Sequence, residues 1–231
     1  MEGLQSNPGR KLKIKLGQEE YLRLPIKTKL ITEKDDILAI VNEYVLPSLK
    51  KGDILFIAER IVAITQGRAF PINKIKPSKL ANFLVKFVEK SPYGIGLGSP
   101  WTMELALRDV GILRLILGII GAALTKPFGI KGIFYHICGY RASAIDGPCS
   151  YTIEPYNQYA ILGPLKPNKV ASDIKKITGN EVVIVDSNDF GLKVLGKSKK
   201  NISDKFCQEV FWGNPIGQSK EKTPFCIIRK V

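Results

Sequence analysis

The sequence is poor in the residues that build zinc, redox and thiol-catalytic sites. It contains one histidine and four cysteines, and no two cysteines form a CxxC pair. That spacing matches neither the usual zinc motifs nor a dithiol redox motif, so we expect reduced thiols in a cytoplasmic protein. His136 lies between apolar neighbours, which favours a core or hydrogen-bonding role. It is the only histidine available to Cys138, so covalent thiol catalysis is not expected.

Long hydrophobic runs are also missing. The most apolar stretch, residues 110–124, is interrupted by Arg114 and falls short of the roughly twenty residues that a bilayer span requires. The pattern predicts a helix packed within the protein or against a dimer partner, with an amphipathic membrane contact as the alternative. Residues 1–20 form a polar lead-in without an apolar run of signal-peptide length. Neither secretion nor a membrane partner is therefore expected.

Acidic residues are few beside the basic ones. The chain has 35 Lys and Arg against 21 Asp and Glu, a formal charge of +14. A positive field of this kind attracts phosphorylated ligands, nucleic acid or anionic membrane. The lysines are scattered in short clusters, which is typical of a solvated surface, and no RNP-like, zinc-finger or helix-turn-helix signature accompanies them. Nucleic-acid binding is therefore kept only as a rival hypothesis.

Apolar residues, 45% of the chain, recur with both strand and helix periodicity. We predict an α+β fold of mixed sheets and packed helices in a single domain over residues 1–231, with no internal repeat. The predicted strands are 21–31, 54–57, 61–64, 130–145 and 181–186. The predicted helices are 33–45, 79–89, 102–107, 110–124 and 168–177.

Carboxylates at the ends of apolar extended segments are the clearest candidates for chemistry. Asp146 precedes a glycine, and Asp186 and Asp189 follow a run of valine and isoleucine. Loops at strand ends commonly carry ligating side chains, and Mg²⁺ prefers carboxylate and phosphate oxygens. The alternative is that these residues only form turns, as Asp often does.

Two arginines and a glycine-rich loop could bind phosphate. Arg60 and Arg68 flank an apolar segment and could each present a guanidinium to phosphate oxygens, although surface ion pairing is the alternative. Residues 93–98 contain three glycines and precede a predicted helix, but their spacing matches neither the P-loop nor the dinucleotide fingerprint. We therefore regard that loop as a weak candidate for phosphate binding.

Several segments, taken in order, resemble the coenzyme F-420 gamma-glutamyl ligase family. They are Leu24-Pro25 with the acidic helix start at Asp35, KGD at 51–53, ERIVAITQGR at 59–68, AIDG at 144–147, ILGPLKPNKVASDIKK at 161–176 and VVIVDSNDFG at 182–191. The AIDG segment resembles the family's AGID metal motif, and the last segment resembles its strand and DTFGR loop. The resemblance extends over nearly the whole chain.

The resemblance implies a function and a set of site residues. In that family GTP and a divalent metal activate a carboxylate as an acyl phosphate, which the amine of glutamate attacks to form an amide. For this chain it implies Mg²⁺ or Mn²⁺ ligation by Asp146 and Asp186, with Asp189 competing for the second position. It also implies phosphate contact by Arg60, support from Gly67 and Arg68, GTP or ATP as cosubstrate, a carboxylate-bearing metabolite as substrate, and an intertwined homodimer.

Three departures from the family pattern bear on activity. Ile64 replaces a lysine, Gln66 replaces a glutamate, and Leu192 stands where the DTFGR motif has arginine. Loss of charged groups weakens a site that works by electrostatics. The first hypothesis is therefore a nucleotide- and metal-dependent amide-forming ligase, and the second is a noncatalytic or regulatory nucleotide-binding homologue.

Overall fold

The computed structural model describes residues 5–88, 95–130 and 132–231. Its strands are β1 (Lys13–Leu16), β2 (Glu19–Ile26), β3 (Ile54–Ala58), β4 (Ala69–Pro71), β5 (Tyr159–Ile161), β6 (Glu181–Asn188), β7 (Gly191–Lys197) and β8 (Phe225–Lys230). Its α-helices are α1 (Ile37–Ile40), α2 (Glu59–Thr65), α3 (Lys79–Leu84), α4 (Pro100–Val110), α5 (Ile112–Thr125), α6 (Ile133–Cys138), α7 (Tyr140–Ser143), α8 (Pro167–Thr178) and α9 (Asp204–Val210). The predicted α+β class, with mixed strand directions, is confirmed.

The chain divides into two compact units. The first, which we call the sheet unit, comprises residues 1–67 and 165–231, and the second, the helical unit, comprises residues 68–164. The single domain expected over residues 1–231 stays a prediction, as does the intertwined homodimer.

The sheet unit is built on a six-stranded mixed sheet of order β1-β2-β8-β3-β6-β7. Strands β3 and β6 are parallel, and the remaining neighbours are antiparallel. Both faces are buried. Val182 and Ile184 belong to the core beneath α1, α2 and α8, whereas Val183 and Val185 belong to the core beneath α9. Burial on both sides explains why β6 is continuously apolar and does not alternate.

The helical unit packs α3, α4, α5 and α6 around one apolar core that includes Met103, Leu107, Leu115 and Cys138. A small sheet of β4 and β5 lies at its edge, where Asp146 forms an isolated bridge with Ile161. Among the described residues, no helix combines the length and apolar character needed to cross a membrane.

Most predicted elements are present, but two strand predictions are wrong. Residues 61–64 lie in α2 and not in an extended segment. Their β-branched side chains suit a strand, but Ile61, Val62 and Ile64 are buried as part of a helix, and tertiary burial overrides so small a local preference.

Residues 130–145, predicted as a strand, contain the helices α6 and α7. Gly139, which would form a bulge if the segment were a strand, has φ of 78° and separates the two helices. A glycine with positive φ is typical of helix ends as well as of bulges, so the residue type alone could not distinguish them.

Candidate functional site

The parallel pair β3 and β6 creates one edge at which charged side chains meet. In their register Ala58 lies opposite Val185, so the next residues along the two strands are Glu59 and Asp186. Carboxyl ends of parallel strands lie on the same side of a sheet, and this edge is where open α/β sheets commonly bind ligands. Helix α2 begins at Glu59 without a loop, so it holds Arg60 beside the same edge.

Asp186 shares its sheet face with α2. Because side chains alternate along a strand, it points to the same side as Val182 and Ile184, the side covered by α2. Glu59 is buried, with 5% of its surface exposed, and Arg60 and Asp186 are half-buried. Two carboxylates and a guanidinium at one edge are a donor set suited to a divalent cation and the phosphate it accompanies.

Gly67 ends α2, and its conformation explains the residue type. Its φ is 69°, in the left-handed region, and its N–H donates to the carbonyl oxygen of Ile64 at 2.9 Å. The preceding Gln66 binds the main chain of Leu165 on both sides: its Nε2 donates to the carbonyl oxygen at 3.0 Å and its Oε1 accepts from the N–H at 2.7 Å. A glutamate could only accept, so glutamine is the residue that can form this pair of bonds.

Asp189 lies in the turn between β6 and β7. The side chain of Asn188 accepts hydrogen bonds from the N–H groups of Phe190 and Gly191, which closes the turn. Asp189 Oδ1 is 2.6 Å from an Nη2 of Arg10. This ion pair gives Asp189 a structural partner in the hairpin turn. Asp186 lies within the strand, next to α2.

Arg68 begins the helical unit and is tied into an ion-pair cluster there. Its Nε donates to the carbonyl oxygen of Gly163 at 2.7 Å, and its Nη2 is 2.8 Å from Asp109 Oδ1. Arg141 binds the same carboxylate through Nε at 2.9 Å and Nη2 at 2.6 Å. Two guanidiniums therefore share one carboxylate whose side chain is only 7% exposed.

The cluster shifts the pKa of Asp109 and the pKa of Arg141. Burial acts to raise the pKa of Asp109, but hydrogen bonds and charge from Arg141 and Arg68 outweigh it, so that pKa lies below its ordinary value. The hydrogen bond to Asp109 raises the pKa of Arg141. The sequence reasoning missed Asp109 and Arg141. The available signal was that each lies in a mainly apolar segment, where a charged side chain needs a partner.

Asp146 lies at the small sheet of the helical unit. Its N–H donates to the carbonyl oxygen of Ile161, and the N–H of Ile161 donates back, both at 2.9 Å. Ile161 also pairs with Ala69, so Ala69, the residue after Arg68, and Asp146 lie two strand spacings apart, about 10 Å across the backbone. The next residue, Gly147, has no room for a side chain, because a Cβ there would lie 2.7 Å from Cβ of Ile95.

The glycine-rich loop feeds α4, as predicted, but its helix start is already capped. Ser99 Oγ accepts from the N–H of Thr102, and Thr102 Oγ1 accepts from the N–H of Ser99. Both residues are buried. The cap uses amide donors that a phosphate would need. Residues 93 and 94 of this loop lie outside the described residues.

The metal-site residues belong to different units: Asp146 to the helical unit, Asp186 and Asp189 to the sheet unit. Their convergence on one metal stays a prediction. Within residues 5–88, 95–130 and 132–231, no group of three or more His, Cys, Asp and Glu side chains is placed to hold a metal.

His136 does not have the core position favoured by the sequence, because it is exposed on α6, whereas Cys138 is buried. Residues two apart on a helix point in different directions, so the two side chains do not share a face. Burial raises the pKa of the Cys138 thiol, with Arg114 opposing the shift.

These features define an α+β protein whose mixed sheet presents acidic and basic side chains at the carboxyl ends of two parallel strands. The chain matches the family described as F420-0:Gamma-glutamyl ligase over residues 25–194. The match covers more than half of its 231 residues, and the chain therefore belongs to that family, as the sequence resemblance predicted. Comparison with curated proteins finds no match.

Proposed function

We propose that the protein is a nucleotide- and metal-dependent ligase that forms a gamma-glutamyl-type amide bond on a carboxylate-bearing metabolite. Family membership over residues 25–194 supports the reaction class. The observation that carries the proposal to particular residues is the parallel register of β3 and β6, which brings Glu59, Arg60 and Asp186 to one edge. This edge offers charges of both signs to a nucleotide with its cation.

In this proposal each residue acts by position and charge. Asp186 and Asp146 hold Mg²⁺ or Mn²⁺, and Arg60 donates to phosphate oxygens of GTP or ATP. When bound, the cation neutralises phosphate charge as it builds up during transfer. Gly67 and Arg68 support the site indirectly. Gly67 provides the left-handed turn that ends α2, and Arg68 fixes the start of the helical unit through its hydrogen bond to Gly163.

The reaction balances without a redox partner. A carboxylate oxygen of the substrate attacks the γ-phosphorus and releases the nucleoside diphosphate. The amine of glutamate then attacks the acyl carbon, and inorganic phosphate leaves as the amide forms. Positioning and electrostatic stabilisation supply most of the catalysis in phosphoryl transfer.

The test is product formation with the purified chain. Coenzyme F420-0, glutamate, GTP or ATP, and Mg²⁺ or Mn²⁺ are combined, and mass spectrometry follows addition of glutamyl residues. Product that requires nucleotide, metal and glutamate together supports the proposal. Nucleotide hydrolysis without an amide product for any carboxylate tested would argue against ligation.

The noncatalytic homologue remains the second candidate because of Gln66. Its amide is engaged with the main chain of Leu165 on both sides, so it supplies no acid at the position where the family has glutamate. Metal-dependent nucleotide binding without turnover, measured as a thermal shift, would favour this candidate.

A further inference from the structure

The strongest feature that the proposed function leaves unused is an exposed apolar face on α5. Four side chains, Leu113, Leu117, Ile120 and Leu124, are exposed by 73%, 51%, 49% and 67%. Their i, i+4, i+7, i+11 spacing places them on one side of the helix. The following turn adds Phe128, exposed by 81%, and Ile130, exposed by 51%. We call these six residues the α5 face.

The opposite side of α5 is packed tightly against α6. Gly118 and Gly121 permit this contact, since a Cβ at Gly118 would lie 2.5 Å from Sγ of Cys138 and one at Gly121 would lie 2.8 Å from Cδ1 of Ile137. Leu115 is fully buried on that side. The helix position predicted for residues 110–124 is therefore confirmed, but burial within the chain covers only half of the helix. Apolar surface of this extent requires a partner.

The charges around the α5 face indicate which partner. Between residues 110 and 145 the sequence has four Lys and Arg and no Asp or Glu. Arg114 near the start of α5 and Lys126 just after its end are both exposed. The helical unit as a whole has eleven Lys and Arg against five Asp and Glu. Because every Lys, Arg, Asp or Glu within residues 110–145 is basic, the segment that carries the α5 face is complementary to an anionic lipid surface.

A second copy of the chain fits this face less well. Arg114 and Lys126 are separated by roughly 18 Å along the helix axis. Antiparallel packing of two such faces would bring Arg114 of one copy near Lys126 of the other, and parallel packing would oppose identical cations. No acid within residues 110–145 could offset either arrangement. Like charges brought together at an interface disfavour association.

We infer that the α5 face docks the protein on anionic membrane surfaces, with its six apolar side chains entering the boundary between headgroups and acyl chains. Arg114 and Lys126 pair with lipid phosphates at the rim. The helix lies in the plane of the surface and does not span it. This inference is independent of ligase activity and takes up the amphipathic membrane contact that the sequence analysis kept as the alternative.

The 231-residue chain is sedimented with vesicles of pure phosphatidylcholine and with vesicles of equimolar phosphatidylcholine and phosphatidylglycerol. Binding to the anionic vesicles only is the expected result. The double substitution Leu117→Glu and Leu124→Glu should weaken it at least roughly tenfold, because apolar insertion is lost. The control Val231→Glu, at a position exposed to the same 67% as Leu124, should bind as the unaltered protein does.

A matched pair of charge-reversal variants tests the contribution of charge to vesicle binding. Lys126→Glu should weaken binding to anionic vesicles by roughly fivefold or more, since each basic residue near the surface contributes about that factor. Lys200→Glu makes the same change in net charge at an exposed position of the sheet unit, and it should leave binding within about twofold because the charge lies outside the docking face. Circular dichroism confirms that each variant is folded.

Two results would overturn the inference. Equal binding to neutral and anionic vesicles would remove the role of charge. A dimer that forms without lipid, dissociates in the Leu117→Glu and Leu124→Glu variant and stays off the vesicles would assign the α5 face to a second copy.

Discussion

At the residue scale, Asp109 carries an unusual amount of charge compensation. One buried carboxylate binds two guanidiniums, those of Arg68 and Arg141, at 2.8 Å and 2.6 Å. Removal of the shared acid leaves two cations without their partner, in a place where Arg68 is largely shielded from water. Removing one partner of a buried ion pair is strongly destabilising, because a buried charge is left without compensation. Replacing the whole pair with apolar residues of similar volume is often neutral.

We predict that Asp109→Asn lowers the free energy of unfolding by about 3 kcal/mol at neutral pH. The pKa of Asp109 is depressed in the folded protein from a reference of 3.8, so its stabilisation is present above that reference and is lost as pH falls through the folded value. The deficit of the variant should therefore shrink below about pH 4. Urea denaturation across pH measures it.

The control for this prediction is Asp173→Asn on α8. Asp173 is also bound by two basic side chains, Lys169 and Lys176, but its side chain is 29% exposed, against 7% for Asp109, so solvent screens the interaction more strongly. A loss of stability as large as that of Asp109→Asn would show that burial is not what gives the Asp109 cluster its strength.

Arg60 provides the residue-scale test of nucleotide binding. Arg60→Ala should weaken nucleotide affinity by roughly 1.5 to 3 kcal/mol, since a charged hydrogen bond to phosphate is lost. Arg60→Lys keeps the positive charge, so it should retain most of the affinity. Isothermal titration in the presence of Mn²⁺ compares the three proteins. Unchanged affinity in Arg60→Ala would make the arginine structural.

At the scale of elements, the α5–α6 hairpin depends on two glycines that appear helix-breaking in the sequence. Helix interiors disfavour glycine by about 1 kcal/mol relative to alanine, so Gly118→Ala would stabilise an isolated helix. Here the added methyl group would lie 2.5 Å from Sγ of Cys138 and 3.1 Å from Cδ2 of Phe134.

We therefore predict that Gly118→Ala destabilises the protein by about 1 to 3 kcal/mol, because a close-packed contact cannot absorb the added methyl group without strain. In a Cys138→Ala background the nearest clash is removed, and the same substitution should become neutral or stabilising. Chemical denaturation of the four proteins gives the coupling free energy. Additive effects of the two substitutions would contradict the packing argument.

Some helices and strands could be predicted from the sequence and others could not. The strand at β6 and the helices α4, α5 and α8 were predictable because each shows a clear apolar pattern bounded by glycine, proline or a capping residue. Helix α2 was not, since its Ile61-Val62 pair has strand character and only burial between sheet and helix decides its conformation.

The candidate site was predictable in part for a related reason. Asp186 follows a recognisable run of valine and isoleucine, so the sequence identifies it as a candidate acid near the end of a strand, although β6 continues to Asn188. The neighbour relation between Asp186 and Glu59 depends on β3 and β6 being parallel and adjacent although more than a hundred residues separate them in the chain. No local pattern encodes such a pairing, and the ion pairs of Asp109 depend on tertiary contacts in the same way.

At the scale of the whole molecule, the distribution of charge links the two proposals. The formal charge of +14 creates a field that draws nucleotides and anionic lipid alike toward the protein, with a strength that falls as salt rises. The site at the β3–β6 edge lies in the sheet unit, whereas the α5 face lies in the helical unit. Substitutions on one can therefore be assayed with the other left chemically intact.

The shared-metal hypothesis is a whole-molecule prediction because it joins residues of the two units. If Asp146 and Asp186 bind one cation, Asp146→Asn and Asp186→Asn should each abolish the extra nucleotide-induced rise in Tm that Mn²⁺ produces. The double variant should then lose no more than either single one, since groups that act as a unit are not additive. Asp189→Asn is the comparison, because Asp189 already has Arg10 as a partner at 2.6 Å, and it should keep most of the Mn²⁺ effect. Independent, additive losses would mean that the two acids do not share a cation, and loss in Asp189→Asn in place of Asp186→Asn would move the second ligand from the strand to the hairpin turn.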